Sequence, residues 1–519
     1  MRRWMTRGVA VVVVAAACTD MPNEPQPNSR PAAPAAARNG TQGANNKTSL
    51  ELIESDLASG ALDKQNGNIY REAALSNPSK LPARYRSTAK GKDATYSLVQ
   101  MAKDWGSLSK STQETILDLR AKGLGDLAES IETPHFVLHY TTIGNHAVPA
   151  LDANGNQVPD FIDVAAQSLE AVWQREIVQL KYPTPIGTPA QKFHVYYKDL
   201  SSYYGATYPQ NLTLETLTPV PLGTATAYIV VENDFADGFP PNDEDVTGLE
   251  TIRSGALKVT QAHEFMHAIQ FAINVYQSGW LMESHATWAE DAVYDGINDW
   301  HWYINSFLAT ADLPLFNRYL YGAAFFQNWL SENYGVDIQR QIWTAARTNS
   351  MPDAIRLTAF GGTWEPLRTF AAAEYTLGIS DFTSDGLSVV PLPTRLPIRA
   401  TYDRYPVAQA IGASTNKVAN VAPWAYGGAN YIEFLPSSNG TLTVTFDGAD
   451  GFAWRAFAVA TPKTGGAPSV YPITLDAGNA GSIAINGFGT RWSRVTLVPA
   501  IVGTDGSEVP YSYGATTGK

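Results

Sequence analysis

The run Leu257-Lys258-Val259-Thr260-Gln261-Ala262-His263-Glu264-Phe265-Met266-His267-Ala268-Ile269-Gln270-Phe271-Ala272 contains no proline. Its apolar residues Leu257, Val259, Ala262, Ala268, Ile269 and Ala272 surround a polar triplet, His263, Glu264 and His267. A run so apolar predicts a central, buried helix. On a helix, residues four apart share a face, so the two imidazoles can bind one zinc ion together. Glu264 stands one position round, beside the coordination position left open. There it can take a proton from water as a general base. The pattern H-E-x-x-H thus points to hydrolysis at a zinc centre.

A catalytic zinc site needs a third protein ligand. The next polar residues on a helical pattern lie in Trp280-Leu281-Met282-Glu283-Ser284-His285-Ala286-Thr287-Trp288-Ala289-Glu290-Asp291. Glu283 and His285 are both candidates, on different faces of such a helix. This stretch resembles the gluzincin branch of zinc metallopeptidases, whose third ligand is a Glu on a second helix. In gluzincin aminopeptidases that Glu lies in W-L-N-E-G-F-A-S-Y-x-E, and Trp280, Leu281, Glu283, Ala286 and Glu290 match position by position. The resemblance implies Glu283 as third ligand, with His285 its rival, and Glu290 as a residue that orients a ligand. The connection from His267 to Glu283 is shorter than in those enzymes. Tyr319-Leu320-Tyr321-Gly322-Ala323 resembles their Y-x-K-G-A, which implies Tyr319 as hydrogen-bond donor to the oxyanion; Tyr321 replaces the Lys. The alternative is a core aromatic pair leading into a helix over Ala323–Asn333. Those aminopeptidases hold the substrate amine with G-x-M-E-N on an edge strand. The equivalent region here, Ala227–Asp234, offers only Val231-Glu232-Asn233, which favours an endopeptidase. The likeness spans about residues 135–375 and extends to secreted bacterial metalloproteases.

Outward from this centre, His135–Tyr140, Lys192–Lys198 and Thr224–Glu232 alternate as strands, with a long helical stretch over Phe161–Leu180. Helical patterns dominate Ser254–Gly378. Strands first and helices after predict an α+β domain over 131–390, with the mixed sheet of a zincin. Before it, 49–130 reads as helical: Leu52, Ile53 and Leu57, then Ile116, Leu117 and Leu119, recur at helical spacing, interrupted at Leu81-Pro82. This region is either a permanent helical part or a prodomain. After it, Asn430–Leu435, Thr441–Phe446, Trp454–Ala460, Ser482–Ile485 and Arg491–Pro499 are short β segments between Gly, Asn, Asp and Pro clusters. They predict a β-sandwich over 395–519.

Asp152-Ala153-Asn154-Gly155-Asn156-Gln157-Val158-Pro159-Asp160-Phe161-Ile162-Asp163 has oxygen side chains at positions 1, 3, 5, 9 and 12, the spacing of an EF-hand-type calcium loop. The Val158 carbonyl falls at position 7. Gln157 replaces the usual Gly, and Asp163 the usual Glu. A solvated Asn-Gly turn before a helix is the alternative.

The chain begins with a basic segment, Arg2, Arg3 and Arg7, followed by apolar Val9–Ala17, too short to span a bilayer. Ala15-Ala16-Ala17-Cys18 resembles a bacterial lipobox, which implies lipidation of Cys18 after removal of a signal peptide. Residues 19–48, rich in Pro, Ala, Asn and Gln, read as a flexible tether. Thr19 after the Cys, rather than Asp, points to the outer membrane. A single Cys excludes internal disulfides. At 519 residues the chain has room for about two to four domains. A net charge of −12 suits an extracytoplasmic protein and cation binding, and argues against a nucleic-acid partner. Membrane contact is expected through the lipid only. The sequence thus predicts a lipid-anchored zinc endopeptidase with calcium, acting on protein or peptide. An aminopeptidase, or a non-catalytic surface adhesin on a zincin frame, is the alternative. The β-sandwich could bind a surface ligand.

Overall fold

The structure is a computed structural model describing residues 47–125, 127–215, 221–236, 249–378, 396, 398–411 and 422–518. The expected signal segment, Cys18 and the tether up to residue 46 lie outside the described residues.

The N-terminal region forms α1 (Ser49–Ser59), α2 (Lys64–Ser76), β1 (Gly91–Asp93), α3 (Thr95–Asp104) and α4 (Lys110–Leu124). Thr48 and Glu51 close a capping box on α1, and Asp63 and Ser109 cap α2 and α4, which satisfies N–H groups that helix starts leave free. The short strand β1 had no signal in the periodicity.

Next come β2 (Glu129–Glu132), β3 (Phe136–Tyr140), α5 (Asp160–Trp173), a π-helical turn (Gln174–Gln179), β4 (Phe193–Tyr197), β5 (Tyr203–Glu215) and β6 (Leu222–Val231). They make one mixed sheet in the order β1-β5-β6-β4-β3-β2. Strands β3, β4 and β6 run parallel, while β5 is antiparallel to β6. Along β6 the side chains alternate: Ile229 and Val231 enter one core, Tyr228 and Val230 another. The first core lies against α5 and the central helices. The second is covered by α1–α4, where Ile53, Leu98 and Ile116 meet Tyr203, Tyr208 and Tyr228. The N-terminal region therefore shares a sheet and a core with the domain that follows it.

The region Ala227–Asp234, equated in the sequence with an edge strand, falls on interior β6, between β5 and β4. Between β6 and the short edge strand β1 runs β5, which the alternation did not reveal because Gly205, Pro209 and a register shift between Gln210 and Thr213 break its pattern.

Helices α6 (Leu249–Ile273), α7 (Gly279–Val293), α8 (His301–Leu308), α9 (Ala324–Tyr334), α10 (Asp337–Ala346), α11 (Met351–Thr358) and α12 (Leu367–Thr376) complete this α+β body. Among the described residues no helix is long and apolar enough to cross a membrane.

The C-terminal strands are β7 (Ile398–Tyr402), β8 (Val407–Ile411), β9 (Tyr431–Phe434), β10 (Gly440–Gly448), β11 (Trp454–Pro462), β12 (Ser469–Ile473), β13 (Ala480–Phe488), β14 (Trp492–Ile501) and β15 (Tyr511–Gly518). They differ from a sandwich of two separate sheets. A single pair, Phe488 with Trp492, joins β13 to β14, so that all nine strands form one curled, nearly barrel-like sheet. Phe434, Val444, Trp454, Ile485 and Leu497 fill its inside. Its outer residues Phe457, Val459, Val498 and Ala500 belong to the main core. Buried Arg318 pairs with Glu374 of α12, which accepts from Tyr431 Oη at 3.2 Å. This β unit is thus fused to the helical body.

Candidate metal centre

Helix α6 is buried throughout 259–271, where it carries His263, Glu264 and His267 with at most 1% exposure. Its flanking Ala262, Phe265, Met266, Ala268 and Ile269 are fully buried against the sheet and neighbouring helices. Helix α7 begins at Ser278, whose Oγ caps Leu281 N, and it brings Glu283 to the same place. The Nε2 atoms of His263 and His267 are 3.0 Å apart. Glu283 Oε2 lies 3.3 Å from the first and 3.6 Å from the second.

The hydrogen bonds behind the imidazoles fix where their protons sit. His263 Nδ1 lies 2.6 Å from Glu290 Oε1, and His267 Nδ1 lies 2.8 Å from Gln270 Oε1. Both oxygens are acceptors; Gln270 Nε2 donates instead to the Met282 carbonyl at 3.0 Å. Each Nδ1 therefore carries the hydrogen, and each Nε2 lone pair faces the other. Neither carboxyl oxygen of buried Glu283 has a hydrogen-bond partner among the described residues. Converging lone pairs and an unsatisfied carboxylate in a water-poor interior cost several kcal/mol each unless a cation sits between them. The donor set, two imidazoles and a carboxylate, fits zinc.

A fourth group was not foreseen. Asp93, at the end of β1, joins the cluster, with ligand atoms of Asp93, His263, His267 and Glu283 all within 4.8 Å of one another. It is the one such grouping of three or more His, Cys, Asp or Glu among the described residues. Beside Asp93, Lys92 Nζ binds Glu290 Oε2 at 2.8 Å and Asp299 Oδ2 at 2.7 Å, so Glu290 links the imidazole of His263 to a buried ammonium. Burial opposes that ammonium, but Asp299 and Glu290 raise Lys92 above its ordinary value. Nothing in the local sequence near Lys92 or Asp93 marks them, because their partners are some 200 positions away.

Glu264 Oε2 accepts from Thr207 Oγ1 at 2.7 Å and from Thr95 Oγ1 at 3.0 Å. Its Oε1 has no hydrogen-bond partner among the described residues. Burial, then the nearby Asp93 carboxylate, push Glu264 well above the usual carboxylate range. A Cβ at position 205 would meet Glu264 Oε1 at 2.3 Å, so only glycine lets β5 pass this close.

The other expected residues fall as follows. His285, the rival ligand, points away: its Nε2 is 2.7 Å from Tyr182 Oη, and its ring stacks on Trp288. Tyr319 is 40% exposed, while Tyr321 stands beside the cluster, its ring centroid 6.2 Å from that of His263. Tyr321 opens a one-turn 3-10 segment, Tyr321–Ala323, and packs on Tyr303.

The 152–163 loop is curled on itself. Asp152 accepts from the N–H groups of Gly155, Asn156 and Gln157 at 2.8, 3.1 and 3.0 Å. Asp160 accepts from Ala153 N, and Asp163 Oδ2 accepts from the side-chain amides of Asn154 and Asn156. Gln157, where an EF-hand places glycine, takes a left-handed φ of 69°. Its carbonyl-bearing neighbour Val158 donates its N–H to Asn156 Oδ1 at 2.8 Å.

Comparison with known proteins adds one finding. Residues 126–363 match the family described as "Family of unknown function (DUF6055)". His263, Glu264, His267 and Glu283 lie inside the matched residues, and Lys92 and Asp93 before them. No curated protein matches the chain.

Proposed function

We propose that this chain is a zinc-dependent endopeptidase. The observation that carries the reading is the convergence of the His263 and His267 Nε2 atoms and the orphaned Glu283 carboxylate beside buried Glu264. His263, His267 and Glu283 would hold the ion. Zinc bound there supplies Lewis acidity, which polarises a carbonyl and acidifies water.

Glu264 is the general base. Its free Oε1 can take a proton from water, and its raised affinity for protons suits a group that must also give the proton to the leaving amine. Thr207 and Thr95 fix the other oxygen, so the carboxyl does not rotate. Glu290 and Gln270 hold the imidazoles in the tautomer that leaves Nε2 free. Tyr321, beside His263, takes the oxyanion role first given to Tyr319. An extended peptide would pair with the β5 edge next to Glu264 in place of β1. Strand β5 carries no acid before Glu215 at its far end, so no carboxylate there would hold a substrate's free amine. This favours internal bonds over terminal ones.

Calcium in the 152–163 loop and a lipid anchor on Cys18 remain part of the proposal. A cation in the loop needs Asn154 and Asn156 to turn their amide oxygens inward. Metal analysis with digestion of an end-blocked peptide library tests the main reading. One zinc per chain is expected, retained in Glu264→Gln, in which turnover falls about 10²–10⁴-fold. Full hydrolysis by Glu264→Gln would refute the mechanism.

A further inference from the structure

A zinc site that turns over substrate keeps one coordination position open, whereas a site with four protein ligands is closed. The cluster here has four protein groups: His263, His267, Glu283 and Asp93. Three of them belong to the α6–α7 pair and to the matched residues 126–363. Asp93 comes from elsewhere. Its side chain is 2% exposed, with Oδ2 at 4.0 Å from His267 Nε2.

The path of the chain around Asp93 matters as much as its carboxylate. β1 lies on the β5 edge in parallel, with Gly91 opposite Tyr203 and Asp93 opposite Gly205. Gly205 is the residue whose missing side chain lets β5 touch Glu264. β1 therefore covers the stretch of edge nearest the general base, where an extended peptide would pair. It is pinned on both sides of Asp93. Lys92 is sunk between Glu290 and Asp299. Thr95 Oγ1 contacts Glu264 Oε2 at 3.0 Å and accepts from Thr207 N at 2.7 Å. A side-chain carboxylate, not a peptide carbonyl, faces the imidazoles, so the strand can lie across the site without being cut.

We propose that Gly91–Thr95 is an internal plug: it occupies the substrate edge of β5, places Asp93 in the fourth coordination position, and holds the peptidase to low turnover until the strand is withdrawn. This rests on the metallopeptidase reading above. The helices α1–α4 serve as the plug's mount, since they bury Ile53, Leu98 and Ile116 against the sheet. Asp93 also accepts from Thr95 N, the first amide of α3, at 2.9 Å. That local turn alone would need no metal, and the test must separate the two roles.

The test uses the full, zinc-loaded chain and two variants, Asp93→Ala and Asp93→Asn; the Asn keeps size and capping ability without the charge. Three quantities are read: binding of acetohydroxamate, the rate at which zinc passes to a chelator, and hydrolysis of unfolded casein. Both variants should bind acetohydroxamate at least about tenfold more tightly than the native chain and lose zinc at least about tenfold faster, as when a metal site loses a supporting group. Hydrolysis should rise in Asp93→Ala and vanish again in Asp93→Ala combined with Glu264→Gln. Unchanged hydroxamate binding and zinc loss in a folded Asp93→Asn would overturn the plug. Complete failure of folded Asp93→Asn to hold zinc would also overturn it, by making Asp93 a permanent structural ligand. Hydroxamate binding gained without any hydrolysis would support the plug's place on the metal and sink the peptidase reading instead.

Discussion

The buried His263–His267–Glu283 cluster and the 152–163 loop are both gatherings of oxygen and nitrogen donors, yet they are built in opposite ways. In the loop, Asp152, Asp160 and Asp163 are satisfied by the loop's own N–H and amide groups, close to water. In the cluster, the imidazole Nδ1 atoms are paired from behind, while neither oxygen of Glu283 in front has a hydrogen-bond partner among the described residues. A loop that satisfies itself can fold without an ion and gains only modestly from one. A buried cluster whose front atoms have no partner makes the ion part of the folded state. Satisfaction of the surrounding donors, more than the number of acids, separates a required cation from an optional one.

The largest expected effect breaks the cluster outright. Glu283→Ala or His267→Ala should reduce bound zinc from one per chain to almost none. At zinc about a thousandfold above its Kd this forfeits about 4 kcal/mol of stability. Calorimetry with and without a chelator reads it; a variant that still holds a full equivalent would show that Glu283 or His267 is not a ligand. Next is the support behind the imidazoles. Glu290→Gln should loosen His263 and leave Lys92 with Asp299 alone, weakening zinc affinity about 10–100-fold in a competition titration. Unchanged affinity would mean that the tautomer is set without Glu290.

The loop should respond less. Withdrawing calcium while zinc is held constant should cost about 1 kcal/mol, for calcium about tenfold above a weak site's Kd. Asp152→Ala should abolish that dependence and cost a further ~1 kcal/mol through three N–H groups left without their acceptor. A loss from calcium removal as large as that from zinc removal would erase the contrast. The smallest effect is Gln157→Gly. The left-handed backbone at Gln157 costs about 1–2 kcal/mol, partly offset by glycine's freedom when unfolded, so a gain of about 0.5 kcal/mol is expected in the melting curve.

Much of the fold was legible where burial alternates cleanly. Strands β3, β4 and β6 and the long α6 announce themselves through period-two and helical patterns. β5 did not, because Gly205 and Pro209 are there for close approach and a register shift rather than for strand propensity. β1 is three residues long, too short for any periodicity. The separation of the C-terminal strands into two sheets was expected from turn spacing. Whether β13 and β14 touch depends on one pair at the end of two strands, which spacing does not encode.

The sequence by itself determined the parts of the site that are local. His263, Glu264 and His267 fall together on one helix because 3.6 residues make a turn, whatever the rest of the chain does. The loop's ligand spacing is local in the same way. Only the tertiary structure decided what meets that helix. It brought Asp93 and Lys92 from an N-terminal strand and set Thr207 and Gly205 of β5 against Glu264. It also turned Tyr321 rather than Tyr319 toward the imidazoles. These contacts arise from sheet order and from burial on both faces of the sheet. Such partners are chosen by packing across the chain, and no short window of residues carries that information.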